Sequence, residues 1–291
     1  MSSERTALSK LLNRCERKWS RQHQPIHGEV VERRRKVVRE LRRRGIKTSA
    51  GLVRALPTLR GKRLSDALEL ISVLKIRRAI PTLLKLLQRP DVRSLVASTL
   101  CFPDDSREIA DYLTQIGRRE LARAQPDPSW LSVVIHVSMA VDDKRVADIL
   151  LTIFERTDLP GWLRGDAADR LPGQPTMDQQ GSPFYQRCRT TALQGLQDED
   201  LDLRFWSMYV IGQLASSTHW VGRRPDPKLQ AALPRLREIA ATDQRLAPGF
   251  WWPLSAEAED VIVCLESGEM PELDAAHRWQ GNPERGLMQW A

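Results

Sequence analysis

Few side chains in this chain have the types and spacing that metal chemistry requires. His23 and His27 are four residues apart, and Cys15 lies eight residues before His23. These residues could supply two or three metal ligands, but Pro25 disturbs the helical face that would align the histidines. The cysteines are far apart in sequence and form no CxxC pair: Cys15, Cys101, Cys188 and Cys264. We therefore predict reduced thiols, no metal site and no cofactor.

Clustered carboxylates are the other candidates for chemistry. They occur at Asp104 and Asp105, at Asp142 and Asp143, and at Asp198, Glu199 and Asp200. All three clusters fall where helices should begin or turn, so helix capping and the helix dipole explain them. The sequence contains no GxxxxGK[ST], GxGxxG, HExxH or GxSxG motif. These observations favour a protein that is not an enzyme.

The elements that would position these side chains repeat one helical pattern. Segments beginning at Arg93, Arg164, Arg204 and Leu254 each carry a small or compact residue four places on and an aliphatic residue seven places on. These offsets line one face of a helix. The intervals of 71, 40 and 50 residues fit helical repeats of roughly 34 to 47 residues, with 71 spanning two units. The pattern predicts an all-α fold built from helical hairpins.

The clearest hairpin is predicted over residues 79–100. Pro81 falls in the first turn of a first helix, Asp91 can cap a second helix, and the pair Val92 and Arg93 opens that helix. Weaker copies span residues 146–171, 191–214 and 229–265, with Asp158 and Asp202 at the first two turns and Pro234 matching the proline. Residues 106–140 leave room for one more hairpin.

This pattern resembles the HEAT repeat family, whose motif has a proline in the first helix, an aspartate at the turn and a Val-Arg pair leading the second helix. The resemblance implies a right-handed α-solenoid of about five HEAT-like helical hairpins over residues 64–265. A basic N-terminal helical cap would occupy residues 1–63, and a C-terminal tail would occupy residues 266–291. In such repeats we expect Arg93, Arg164 and Arg204 to bond neighbouring turns rather than a ligand.

A HEAT-like solenoid is also the scaffold of a family of alkylpurine DNA glycosylases, which this chain resembles in its basic charge, repeats and tryptophans. The signature of that family has paired tryptophans followed closely by an aspartate. Here Trp251 and Trp252 are followed by Glu257, Glu259 and Asp260 at a different interval. The catalytic residues therefore do not carry over, and a DNA glycosylase remains the less favoured alternative.

Charge is distributed unevenly along the chain. Residues 1–80 hold 22 Lys and Arg against 7 Asp and Glu, a net charge of +15, whereas the remainder holds 23 against 30, a net charge of −7. Residues 30–47 predict a helix with one apolar stripe, ended by Gly45. Its basic residues are Arg33, Arg34, Arg35, Lys36, Arg39, Arg42, Arg43 and Arg44. This helix could cap the solenoid, or bind nucleic acid or an acidic protein.

Tryptophans are concentrated late in the chain. Trp206 falls inside a repeat helix, where we predict a core position, whereas Trp220, Trp251 and Trp252 are predicted in loops rich in Gly, Pro and polar residues. Large aromatic side chains in loops are favoured anchors of binding sites. We therefore predict a partner-binding rim made of Trp220, Arg223, Arg224, Trp251 and Trp252.

These patterns favour a non-enzymatic protein-protein interaction module, an adaptor or inhibitor that uses its concave face and the late tryptophan loops. The partner is expected to be another protein. Nucleic-acid binding through the basic N-terminal region is the alternative. No run of eighteen apolar residues predicts a membrane span, and the N-terminus does not match a secretory signal, so a cytoplasmic location is expected.

Overall fold

The chain folds almost entirely into helices. The computed structural model describes residues 7–13, 28–102, 106–172, 180–220, 226–246 and 252–268; the side chains of residues 28–29 and 217–220 are left out of the description. Helices account for 77% of the described residues, which confirms the predicted all-α class. Within those ranges the extended backbone is limited to two isolated bridges, Ala7 with Thr48 and Leu246 with Pro253.

The helical elements follow one another through short turns. A first short helix, α1, covers residues 8–13. The helices that follow are α2 (Gly28–Arg43), α3 (Ser49–Ala55), α4 (Gly61–Val73), α5 (Ile80–Leu86), α6 (Arg93–Leu100), α7 (Arg107–Leu121), α8 (Pro128–Val137), α9 (Lys144–Glu155), α10 (Gly161–Arg170), α11 (Pro183–Gly195), α12 (Leu201–Trp220), α13 (Leu233–Thr242) and α14 (Leu254–Ser267). Turns of 3₁₀ helix occur at Leu56–Thr58, Arg77–Ala79, Ser138–Ala140 and Pro227–Ala232.

The helices form two compact units. The first unit contains Met1–Gln115 and His136–Val141, and the second contains Ile116–Ile135 and Asp142–Ala291. The predicted division into residues 1–63, 64–265 and 266–291 stays a prediction. No helix within the described ranges is long and apolar enough to cross a membrane.

In the first unit, α2 packs against α4, and α4 and α5 both pack against α6. The second half of the apolar stripe predicted on α2 is buried, with Val38 and Leu41 at most 5% exposed. After α2, the amide of Gly45 donates to the carbonyl of Arg42 and the amide of Ile46 donates to that of Leu41. Gly45 has a φ of +78°, the left-handed geometry of a Schellman C-cap. The predicted helix stop is confirmed.

The second unit contains three consecutive helix pairs, α9 with α10, α11 with α12, and α13 with α14. The second helices of these pairs also contact one another, α10 against α12 and α12 against α14. Each pair buries an apolar stripe, represented by Phe154, Leu163, Leu203, Leu236 and Leu265, all at most 2% exposed. The segments 146–171, 191–214 and 229–265 therefore each fold into two helices, as predicted.

The arginines at the repeated positions bond neighbouring turns. Arg164 donates to the carbonyl of Phe154 at 3.1 Å and to the carboxylate of Asp198 at 3.3 Å. Arg204 donates to the carbonyl of Asp198 at 2.6 Å and to the carboxylate of Asp243 at 3.0 Å. We call this series, completed by Arg245 on Asp243, the Arg–Asp ladder. In the first unit, Arg93 likewise donates to a preceding carbonyl, that of Leu87, and the predicted structural role is confirmed.

Two predicted turn aspartates are wrong in detail. Asp91 pairs with Arg89 at 2.7 Å, and the N-cap of α6 is Val92, which makes no side-chain capping bond. Asp202 lies in the first turn of α12, and Asp200 caps that helix by accepting from the amide of Leu203. In both cases an aspartate nearby satisfies the local backbone or an arginine first. The predicted capping role of Asp143 is confirmed at α9.

Candidate functional site

The most distinctive surface of the second unit lies on α10 and α12. Both helices place three side chains at positions i, i+4 and i+7, which share one helical face. We call this surface the acidic-aromatic face; it consists of Trp162, Asp166, Asp169, Asp202, Trp206 and Tyr209. Trp162 is 42% exposed, and each of the other five side chains is also partly or fully exposed.

Close packing of α10 on α12 holds this face together. A Cβ atom added to Gly165 would lie 2.8 Å from Cδ1 of Trp206 and 3.3 Å from the backbone of Asp202. The absence of a side chain at Gly165 therefore lets the indole of Trp206 lie directly on α10. Trp206 also meets Tyr209 edge to face, with ring centroids 5.5 Å apart. The rings are thus held in place by packing.

The carboxylates of the face repel one another at short range. Burial, followed by the charges of Asp200 and Asp166, raises the pKa of Asp202. Burial also raises the pKa of Asp166, where the charge of Asp169 adds to the effect and that of Arg170 opposes it. Within the described residues, no hydrogen bond or ion pair neutralises Asp166 or Asp202. The face therefore holds two uncompensated carboxylates beside aromatic rings.

Asp169 links the two helices electrostatically. It forms an ion pair with Arg170 at 3.0 Å, yet burial still raises its pKa. Burial raises the pKa of Tyr209 as well, and the charges of Asp169 and Glu257 add to this shift. Tyr209 is therefore a neutral phenol that lies among negative charges at ordinary pH. Such a surface attracts cations and repels phosphates.

Trp252, a predicted rim residue, takes part in the packing between α12 and α14. Its ring centroid lies 6.0 Å from that of Phe205, and its indole Nε1 donates to the carboxylate of Glu257 at 3.0 Å. Glu257 is only 6% exposed, so this bond satisfies part of a buried charge. Trp252 is half-buried, and its place in a partner-binding rim stays a prediction.

The other predicted rim residues are less well placed for a test. The backbone of Trp220 is helical, because α12 continues to this residue; its predicted loop position is wrong, and its side chain lies outside the description. Arg223, Arg224 and Trp251 also lie outside the described residues. The sequence signal at Gly222 misplaced the end of the helix by two residues.

The predicted basic helix is present as α2, and much of its charge is paired. Arg33 and Arg34 contact the carboxylate of Glu69 at 2.9 and 3.2 Å, which ties α2 to α4. Arg39 pairs with Glu32, and Arg43 and Arg44 contact Glu40. Every basic residue of the predicted set except Arg34 is exposed: Arg33, Arg35, Lys36, Arg39, Arg42, Arg43 and Arg44.

Sequence reasoning missed the acidic-aromatic face because it treated Trp206 as core. Trp206 is only partly buried, since one side of its ring covers Gly165 and the other side is accessible. The signal that could have found the face is the 40-residue interval between Arg164 and Arg204. At that interval Trp162 corresponds to Asp202, Asp166 to Trp206, and Asp169 to Tyr209. Each equivalent position thus holds one aromatic residue and one carboxylate.

A groove of about 640 Å³ lies elsewhere in the second unit, beside the end of α13. Its charged lining pairs internally, Arg235 with Glu238 at 2.7 Å and Asp243 with Arg204 and Arg245. Hydrogen bonds from Arg245 hold the pKa of Asp243 at about 2, against the opposing effect of burial. These charges are used within the fold. Across the described ranges, no three His, Cys, Asp or Glu side chains come together as a metal site.

Comparison with known proteins leaves the chain without an assigned family. No protein-family model matches the sequence, and no curated protein shows a significant match. The HEAT resemblance therefore depends on the residues and contacts described above.

Proposed function

We propose that this chain is a non-enzymatic protein-interaction module, an adaptor or inhibitor, whose helix pairs stack as a HEAT-like α-solenoid. The Arg–Asp ladder supports this architecture, because each arginine bonds its own preceding turn and the next acidic turn along the chain. The contacts of α10 with α12 and of α12 with α14 fit the stacking of second helices in such repeats.

The observation that carries the functional proposal is the acidic-aromatic face. Trp162 exposes 42% of its surface on a helix whose other side is well packed. A large aromatic ring next to water is a typical anchor of a protein interface, because burying it on association contributes about 2 kcal/mol or more at a hot spot. Packing of Trp206 against Gly165 means that the partner would meet a preorganised surface.

Isolation of the full chain from its native cells tests this proposal. We expect a protein partner that resists nuclease treatment and is identified in the purified complex. Replacing Trp162→Ala should weaken the partner at least tenfold, about 1.4 kcal/mol, with the thermal stability preserved. Met139→Ala is the matched control, because Met139 is also a large exposed apolar side chain, at 51%. A chain that copurifies only with nucleic acid would contradict the proposal.

Nucleic-acid binding through α2 is the second candidate function, and the exposed arginines of that helix favour it. Because contacts to phosphates release counterions, binding should weaken steeply as salt rises. Replacing Arg35, Lys36 and Arg42 by Glu should abolish binding to DNA and RNA in a gel-shift titration. If the parent protein binds neither polymer at low salt, α2 keeps only its role in the fold.

A further inference from the structure

The acidic-aromatic face combines two features that one chemical group satisfies together. At each of three positions, 40 residues apart, one helix provides an aromatic ring and the other a carboxylate. A guanidinium is planar and charged, so it stacks on aromatic rings and accepts two parallel contacts from a carboxylate. An ammonium group uses this combination less well, because it is compact and strongly hydrated.

We propose that the acidic-aromatic face binds an arginine-rich, extended segment of a partner protein. This inference rests on the proposed function and names the chemistry of the partner. The charge of the face selects the sign of the ligand: Asp166 and Asp202 have no compensating hydrogen bond or ion pair within the described residues, so a cation gains from approaching them. A nucleic-acid backbone would be repelled at the same place.

The spacing along the helices selects the form of the ligand. Four residues of a helix rise about 6 Å, so the positions of Trp162 and Asp166 are about 6 Å apart along α10. Side chains on one side of an extended segment are about 6.7 Å apart, because they alternate at every second residue. The same distance separates the positions of Asp202 and Trp206 on α12. Arginines at alternate positions of an extended segment therefore match both helices.

The surface geometry also explains why this face would discriminate. Trp206 is fixed over Gly165 and in contact with Tyr209, so its exposed ring surface is available without rearrangement. Trp162 lies at the start of α10, where it can contact the end of a bound segment. Packing thus prepares the aromatic surfaces before a ligand arrives, which lowers the entropy cost of binding.

Fluorescence anisotropy with labelled peptides tests the proposal on the full chain. The probe is Gly-Arg-Ser-Arg-Ser-Arg-Ser-Gly, and the comparison probe replaces each arginine by lysine. We expect the arginine peptide to bind at least fivefold more tightly than the lysine peptide. The double substitution Asp166→Asn and Asp202→Asn should weaken the arginine peptide at least tenfold while preserving the thermal stability. Trp162→Ala should reduce the preference for arginine over lysine.

Matched controls separate this face from general attraction between charges. Glu259→Asn and Glu266→Asn remove two exposed carboxylates of α14 and should leave the affinity for the peptide unchanged. Equal loss in both double variants, or equal binding of both peptides, would overturn the proposal. Self-association of the parent chain that the Asp166 and Asp202 substitutions abolish would identify a second copy as the occupant, and would overturn it too.

The two proposals fail in different ways. A copurified protein partner whose affinity is unaffected by Asp166→Asn and Asp202→Asn would contradict the arginine-rich segment and leave the interaction module standing. Specific binding of the arginine peptide by a chain that has no protein partner in its native cells would retain the chemistry of the face and contradict the proposed function.

Discussion

The buried ion pairs of the second unit and the exposed ion pairs of α2 use the same residue types with different consequences. In the Arg–Asp ladder, Arg204 and Asp243 are 7% and 8% exposed at the side chain. On α2, Arg33 is 62% exposed and its partner Glu69 is 30% exposed. Water screens the second pair and competes for its hydrogen bonds, whereas the first pair has little water available.

The difference teaches which charges belong to the fold and which remain available for binding. A buried arginine that loses its carboxylate leaves a charge and several donors unsatisfied in the interior. An exposed arginine that loses its partner is hydrated at once. Charges such as those of α2, and those of Asp166 and Asp202, can therefore be changed to probe binding without loss of the fold.

The largest effect should come from Arg204→Met. Methionine fills a similar space but donates nothing to the carbonyl of Asp198 or the carboxylate of Asp243. We expect the free energy of unfolding to fall by about 3 kcal/mol or more, measured by urea denaturation. Arg237→Met is the control, because Arg237 pairs with Glu266 at the surface and should change little. Similar losses in the two variants would remove the distinction between buried and exposed pairs.

Trp252→Ala should have the next largest effect, because it removes a ring from Phe205 and a donor from the buried carboxylate of Glu257. We expect a loss of about 2 to 3 kcal/mol of stability by thermal denaturation. Trp252→Phe keeps the ring contact and should recover part of this loss. If Trp252→Ala keeps its stability but weakens a partner at least tenfold, Trp252 belongs to the predicted rim instead of the interior.

Acid should weaken the ladder through Asp243. Its pKa in the folded protein is about 2, below the value of about 3.9 expected in an unfolded chain. Its contribution is therefore fully present above pH 4 and is lost as the pH falls through 2, about 2 kcal/mol in all. Asp243→Asn should remove that part of the pH dependence in urea titrations between pH 4 and 2. Asp158→Asn changes an exposed, arginine-paired carboxylate and should flatten the curve less; the reverse ranking would count against the ladder.

The smallest effect is expected on α2. Arg33→Gln removes one contact with Glu69, but Arg34 still reaches the same carboxylate. The free energy of unfolding should fall by less than about 1 kcal/mol. The decrease should become smaller still at high salt, because salt screens exposed pairs. A loss as large as that of Arg204→Met would show that α2 is held to α4 mainly by charge.

Local sequence rules predicted the helices of this chain well where caps and periodicity agree. Ser182 and Pro183 begin α11 as expected, and Gly45 ends the cap of α2. The rules failed where several candidates compete for one role, since Asp200 and Asp202 both lie near the start of α12 and only the fold decides between them. The continuation of α12 to Trp220 similarly overrides the breaking signal of the following residues.

The candidate site was harder to predict because it depends on contact between two helices. Trp206 and Gly165 are 41 residues apart in sequence, and a tryptophan inside an amphipathic helix suits a core position equally well. The arginine interval gave the register of the repeat, but the sequence did not show which positions of that register remain accessible. Burial at those positions is decided by how closely α10 approaches α12.

The Arg–Asp ladder limits how the second unit can be shortened. Arg204 needs both the turn before α12 and the aspartate after α13, so a chain cut between these helices would keep a nearly dehydrated cation and remove its carboxylate. Solvent would enter around α12 to hydrate that cation, and the neighbouring pairs would loosen in turn. Truncation of this protein should therefore proceed by losing its last hairpins together, with few stable intermediates of partial length.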